Sequence, residues 1–436
     1  MKKLLAVLLA LGLIVAFASS ASAADVKLSG YYFIVGEYVN SNSLGQNAEG
    51  DAGPHDALYW QKLRFNPVMQ IADGLKVTFR IDAHTGYWGD TVDGGGRVGK
   101  LPGYGEDNRN IRWRRTYIDA NLGYGLSIRA GVTQGGTFGT IWCDGAYDEG
   151  RIYLFAKAGP GSIVALTAKA AERDAYTSNV DADYDKYALG YLGKVENIEF
   201  GALWYWLRHA ANRATSTADY HVPMAYMKGT FGPLYVEAEW NYMFGKDVEY
   251  FDPYTGTDID RAGMSAYVKA QFNMGPAYVG GQFGWLQGDD PDTTDENEAG
   301  YPGNVDYDPC LILWNSDYAD SISGYTPGAG MGTYGRTDGN IANAWIAQVF
   351  GGFSPMEKLE LFASATWAKA DEKPLNYVDD DYGYEFDVTA TYKIYDNLEY
   401  MVGFGYFVAG DYYKGTNASA DVENNYLVIN KLTLNF

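Results

Sequence analysis

Five basic residues and three acids in this chain have spacing that chemistry could use. Lys62 and Arg64 alternate with Leu63 and Phe65 in "YWQKLRFN". Arg80 alternates with Phe79 and Ile81, Arg115 shares its parity with Asp119, and Arg129 lies between Ile128 and Ala130. In extended chain, successive side chains point to opposite faces, so all five bases turn away from an apolar face. Asp144, Asp148 and Glu149 follow in the glycine-rich stretch "QGGTFGTIWCDGAYDEG". Bases set opposite acids across a narrow gap make a transverse field. Such a field orients polar solutes and repels apolar ones, and low-dielectric walls strengthen it. The competing reading has the bases as solvated groups and the acids in an exposed loop.

Bond-making chemistry has little support. A hydrolase needs a nucleophile with a base in reach. The four histidines, His55, His84, His209 and His221, fall in no catalytic signature, and no G-x-S-x-G or C-x-x-C-H occurs. The sequence predicts no enzyme, no cofactor and no metal site.

These charged residues lie on runs of period-2 alternation. In "LKVTFRIDA", Leu75, Val77, Phe79, Ile81 and Ala83 face one way while Lys76, Thr78, Arg80 and Asp82 face the other, and His84 continues the polar face. "GLSIRAGV", "LYVEAEWNY", "MSAYVKAQF", "KLELFASATW" and "FDVTATYK" repeat the pattern. A helix would need apolar residues at i, i+3 and i+4 instead. One run resists the parity. In "IRWRRTYIDANL", outward Ile118, Ala120 and Leu122 put Arg115 and Asp119 inward and leave Arg112 and Arg114 on the apolar side. A bulge, a rim position or a subunit contact would each relieve this.

The connections alternate in length. Short turns are predicted at 72–74, 123–125, 159–161, 196–197, 232–233, 275–276, 353–356 and 396–397, where turn-forming residues gather. Longer polar segments fall at 40–56, 87–110, 134–150, 174–183, 210–219, 245–260, 287–340, 370–381 and 410–421. This rhythm predicts an all-β fold: a transmembrane antiparallel β-barrel of about 18 strands, with 16 as second choice, short periplasmic turns and long extracellular loops. A sandwich or propeller is the soluble competitor. Aromatic clusters near strand ends, as in "LWYWL" at 203–207, suit the interfacial girdles of a barrel instead.

The chain opens "MKKLLAVLLALGLIVAFASSASA", with a basic n-region, an apolar core and Ala21-Ser22-Ala23 as a small-residue cleavage site. A cleaved secretory signal over 1–23 is expected, leaving a single domain over 24–436. Loss of Lys2 and Lys3 takes the formal charge from −22 to −24. No basic stripe remains for a nucleic-acid partner. The acidity suggests a mild preference for cations, although much of it lies in loops, where screening limits its reach to about 10 Å.

The chain ends "LVINKLTLNF", alternating up to an aromatic, Phe436. A sheet in lipid cannot leave an edge unpaired, so the last strand must close on the first. With the signal and the first strand "ADVKLSGYYFIVGEYV", this ending resembles a Gram-negative porin. More narrowly, the whole chain after the signal resembles the homotrimeric outer-membrane porins of sulfate-reducing and related bacteria. That resemblance implies a homotrimer and an inward-folded third loop, for which 134–150 is the candidate constriction. It also implies an outer-membrane setting, in contact with lipid and lipopolysaccharide, and insertion by the barrel-assembly machinery reading Phe436. The function expected is passive diffusion of small hydrophilic solutes and ions. The alternatives are a selective channel for sugars or organic anions and a structural or adhesive surface barrel. Tyr235 and Tyr267 point inward but are too few for an aromatic slide.

Three features sit in the loops. Cys143 and Cys310 both fall on the outer side, and a bridge between them would pin the constriction loop to the long loop. Such a bridge requires Cα atoms within about 7 Å. The acidic run 289–298 lacks the spacing of an EF-hand and reads as solvated loop rather than a Ca²⁺ site. "CLILWNSDYADSI" at 310–322 is apolar enough to form a short element over the mouth or against a neighbouring subunit.

Overall fold

The computed structural model describes residues 25–40, 44, 56–88, 111–135, 138–144, 147–173, 182–210, 215–300, 307–315 and 341–436. The expected signal at 1–23 lies outside them. The strands in chain order are β1 Asp25–Val39, β2 Asp56–Ala72, β3 Leu75–Tyr87, β4 Ile111–Gly123, β5 Leu126–Gln134, β6 Asp148–Ala158 and β7 Gly161–Ala171. There follow β8 Tyr184–Val195, β9 Ile198–His209, β10 Ser216–Phe231, β11 Leu234–Tyr250, β12 Ile259–Met274 and β13 Ala277–Leu286. The last are β14 Glu296–Asn297, β15 Ala344–Met356, β16 Leu359–Lys369, β17 Asp381–Tyr395, β18 Leu398–Ala409 and β19 Asn425–Asn435. β14 is a two-residue parallel pairing of a loop onto β12. The other strands are 18 antiparallel staves in sequence order.

The sheet closes on itself. β1 pairs with β19 from Tyr31 opposite Asn435 to Val39 opposite Leu427, so no stave has an unpaired edge. Phe436 continues the ladder: its N–H donates to Gly30 O at 3.0 Å and its carbonyl accepts from Gly30 N–H at 2.8 Å. Eight two-residue turns join staves on one side of the barrel. Seven lie at the predicted places. The eighth is Glu357-Lys358 rather than 353–356, because β15 runs on to Met356 through a register shift after Phe353. That irregularity accommodates Pro355, which has no N–H for the ladder.

The outer surface carries the apolar half of each alternation. Ile118, Leu189, Val268, Val349, Phe386, Val388 and Phe404 are all exposed, with Trp113, Trp204 and Tyr395 among them. An apolar band around a closed barrel fits lipid as its solvent. The interior departs from the simple pattern of a wholly polar inner face. Phe33, Val35, Val39, Trp60, Ile346, Phe407, Leu427 and Ile429 point inward and pack into one apolar cluster with Tyr307, Ile312, Leu313 and Trp314. The segment 307–315 has folded into the barrel, and the staves facing it supply the apolar surface it needs. It does not lie over the mouth or on a neighbour, as the sequence suggested for 310–322. Residues 316–322 lie outside the described set.

Candidate functional site

The five predicted bases come together on the inner face of β2 to β5. Arg64 holds Asp82 through two parallel bonds, Nε to Oδ1 at 2.5 Å and Nη2 to Oδ2 at 2.8 Å. Lys62 shares its stave and face. Arg80 donates to Asn66 Oδ1 at 3.2 Å. In the ladder Arg80 stands directly opposite Arg115. Arg129 bonds Asp119 at 2.7 Å, and its guanidinium lies 4.7 Å from the centre of the Tyr117 ring. His84 is on β3 as expected, but its side chain lies outside the described set.

The parity conflict in β4 is resolved by a bulge. Arg80 pairs with Arg115 and the next pair is Ile81 with Trp113, so Arg114 is the extra residue. Beyond it, Arg112 stands opposite Asp82. The bulge leaves Arg114 able to bond Asp148 Oδ2 at 2.6 Å. A β-bulge re-aims a side chain in this way at the cost of one ladder position.

The acids stand elsewhere than expected. Asp148 and Glu149 begin β6 rather than ending a loop, and they lie beside the bases, not across from them. Asp148 bonds both Arg114 and Arg115, and Arg115 also donates to Gln134. Glu149 is held between Arg151 at 2.6 Å and Lys186 of β8 at 2.8 Å. Four bases therefore share two acids: Arg114 and Arg115 reach past β5 to Asp148, Lys186 reaches past β7 to Glu149, and Arg151 bonds Glu149 on its own stave. Asp144 is half-buried, just after a single turn of 3₁₀ helix at Ile141–Cys143. Arg151 and Lys186 lie on β6 and β8, beyond the second to fifth strands along which the sequence predicts the basic wall. The alternation of Arg151, Tyr153 and Phe155 with Ile152, Leu154 and Ala156 was the signal that could have found Arg151.

The segment between β5 and β6 crosses to β11 and β12, a third of the way round the sheet. Its anchor is Glu239 Oε2, which accepts from Thr140 N–H at 2.6 Å and from the Thr140 hydroxyl at 2.8 Å. Gly139 (φ 94°) comes so close that a Cβ there would sit 2.3 Å from the same oxygen, which is why glycine precedes the anchor. Trp142 then stacks on Tyr267, with ring centres 5.3 Å apart and planes 4° from parallel, and donates to Ser265 Oγ at 3.1 Å. Tyr235 and Tyr267 do face inward, and both hydroxyls bond Glu237.

The segment 307–315 meets this one edge to face, Trp142 against Tyr307 at 5.1 Å. It is pinned by Glu385 of β17, whose two oxygens accept from Ile312 N–H and Leu313 N–H, each at 2.7 Å. Gln348 donates to Pro309 O at 2.5 Å, and Asn315 to Cys310 O at 3.0 Å. Burial holds the Tyr307 hydroxyl well above the ordinary tyrosine range, so it stays neutral. Cys310 is a buried free thiol rather than half of a bridge, and the Cys143 side chain lies outside the described set. The pinning that a Cys143–Cys310 bond would have given comes from hydrogen bonds to the wall. The acidic run 289–298 is also used locally: Asp290 N–H donates to Glu298, and Glu298 N–H to Asp289.

Between the crossing segment and β4 to β10 an inner cavity of about 360 Å³ remains, bounded by Arg115, Arg129, Arg151, Tyr153, Tyr205 and Lys228 among others. Tyrosines are more numerous here than Tyr235 and Tyr267 had suggested, since Tyr117, Tyr147 and Tyr226 also line it.

No known family model matches the chain, and no curated protein matches its sequence. Solved structures match its fold over nearly its whole length. A BenF-like porin from Pseudomonas fluorescens Pf-5 superposes with a TM-score of 0.51 at 11% identity, covering 94% of this chain and 99% of that one. OccAB3 of Acinetobacter baumannii gives 0.52 at 11% identity, covering 94% and 100%. OccK8 (OprE) of Pseudomonas aeruginosa gives 0.51 at 11%, covering 94% and 98%. The chain thus has the fold of an 18-stranded outer-membrane porin.

Proposed function

We propose that this protein is an outer-membrane porin for small hydrophilic solutes, with an off-centre path that favours anions. The observation that carries this reading is the division of the interior. One side is filled by the apolar cluster around 307–315. The other keeps a cavity walled by arginine, lysine and tyrosine. A solute must therefore pass beside the basic wall. There Asp148 and Glu149 are each shared between two bases, so the wall retains positive charge despite the acidity of the whole chain. Fixed charges at a narrow, low-dielectric passage act on ions far more than loop charges outside it. The constriction is formed by the segment anchored at Thr140.

The fold likeness to a BenF-like porin and to two Occ proteins agrees with a channel. A selective channel for organic anions is the second reading, and the tyrosines beside Arg115, Arg129 and Arg151 favour it: such a wall offers charge to a carboxylate and aromatic faces to its carbon skeleton.

Purified barrels in a planar bilayer under a salt gradient test both readings. Steady conductance steps with a reversal potential of anionic sign are expected. Folded barrels that never conduct would overturn the porin reading and move attention to the outer loops. Conductance with a cationic reversal would keep the porin and reject the basic wall as its filter. A fall in chloride current on adding a small carboxylate at low concentration would favour the selective channel.

A further inference from the structure

The interior holds a second polar group, unrelated to the basic wall. Glu385 and Asp387 stand two residues apart on the inner face of β17, and Cys310 descends on them from the folded-in segment 307–315. The sulfur and one oxygen of each carboxyl group lie within 4.8 Å of one another. All three residues are buried: Glu385 is 0% exposed, Asp387 3% and Cys310 5%. Among the described residues, no lysine, arginine or histidine forms an ion pair with either carboxyl group. Elsewhere on the inner wall Asp82, Asp148 and Glu149 are each matched to a base. Two buried carboxyl groups side by side without a base need either a shared proton or a cation.

We infer that Cys310, Glu385 and Asp387 form a divalent-metal site, of the kind zinc occupies, which clasps the segment 307–315 to the barrel wall.

Four observations support a metal. The donors are of mixed type and come from two elements, so the site exists only when the segment is folded in. Asp387 Oδ1 has no hydrogen-bond partner although its residue is almost wholly enclosed, while Oδ2 accepts from Ser364 Oγ at 3.2 Å. Glu385 accepts from Ile312 N–H and Leu313 N–H, one bond to each oxygen, which leaves lone pairs free to face a cation. The sulfur has beside it Thr366 Oγ1 at 3.3 Å, a hydroxyl that can donate to a thiolate. Second contacts of this sort orient and stabilise metal ligands.

A thiolate with two carboxylates suits a borderline-soft ion such as Zn²⁺ better than Ca²⁺ or Mg²⁺, which prefer oxygen alone. On binding, the thiol releases its proton to solvent and the sulfur lone pair fills the coordination position, so uptake strengthens as pH rises. The inference stands whether or not the lumen conducts, since a metal assay does not read current.

The test uses the full-length folded barrel in detergent, stripped with a chelator and dialysed against Zn²⁺ alone, with bound zinc measured by mass spectrometry. One zinc per chain is expected. Cys310→Ser and Asp387→Asn are expected to weaken retention at least about 10-fold, with folding checked by heat-modified gel mobility. Cys143→Ser, outside the trio, is expected to retain zinc as the wild type does. A Co²⁺-loaded sample should show a sulfur-to-metal charge-transfer band that disappears in Cys310→Ser. Failure of the wild-type barrel to hold zinc, or equal retention by folded Cys310→Ser, would overturn the inference and leave a shared proton between Glu385 and Asp387.

Discussion

Glu239 of β11 holds Thr140, 99 residues earlier in the chain, through the backbone N–H and the hydroxyl of the same residue. This one carboxylate carries the segment between β5 and β6 across the interior. Both bonds are charge-assisted and shielded from water, and each is worth about 1.5–3 kcal/mol. Replacing Glu239 by Ala leaves Thr140 N–H without its acceptor. The crossing segment should loosen, and single-channel conductance should rise. Glu239→Gln keeps an acceptor without the charge and should fall between the two. Equal conductance in all three proteins would show that the Thr140 segment does not limit the passage.

Arg115 is 7% exposed and bonds both Asp148 and Gln134. Its removal strands part of a buried ion pair, a loss of about 3–5 kcal/mol. Asp148 would keep Arg114 alone, so the wall would also lose net positive charge. Arg115→Ala should therefore lower the denaturant midpoint and move the reversal potential toward cations. Lysine should restore the sign of the reversal but not the stability, because an ammonium lacks the planar fork that reaches two acceptors. A reversal potential unchanged in Arg115→Ala would separate the wall from ion selection.

Much of this fold was legible because period-2 alternation and turn chemistry agree along the chain. The eighteen staves and most of the tight turns follow from "LKVTFRIDA" and its relatives. The positions of Asp148 and Glu149 were not legible. A glycine-rich stretch gives no alternation until Arg151, so the start of β6 could not be separated from the loop before it. The inward packing of Ile312, Leu313 and Trp314 was hidden for another reason. Alternation says which residues share a face, but an apolar inner face looks the same as an apolar outer one until its partner segment is known. Phe407, Leu427 and Ile429 have the inner parity and are apolar because that segment covers them. The bulge at Arg114 lay between these cases: the clash of parity was visible, and only the ladder shows how it is relieved.

Gly30 tests the closure of the barrel. A Cβ at this position would lie 2.1 Å from Arg64 O and 2.8 Å from the Phe436 ring. That ring also meets Phe65 edge-on, with centroids 5.8 Å apart. Any larger residue must displace either the β1–β2 ladder or the aromatic pair beside the seam. Gly30→Val should reduce the yield of heat-resistant folded barrel in refolding assays, whereas Ser29→Val on the neighbouring position should not. Wild-type yield from Gly30→Val would mean that the seam tolerates a spread ladder.

The two inward segments touch through Trp142 and Tyr307, which makes their anchors a coupled pair. Glu385→Ala removes two 2.7 Å bonds to Ile312 and Leu313 and should release 307–315 from its wall. In chelator-stripped protein its effect on stability should resemble that of Glu239→Ala, since each anchor accepts two bonds from one segment. If each segment supports the other, losing the first anchor already weakens what the second one holds. The double variant should then be less destabilised than the sum of the singles, with a coupling energy within the range of about 0.5–3 kcal/mol found for contacting groups. Denaturant titration of the two single variants and the double variant in one detergent measures it. Strict additivity would mean that the Trp142–Tyr307 contact transmits nothing and that the two segments narrow the passage independently.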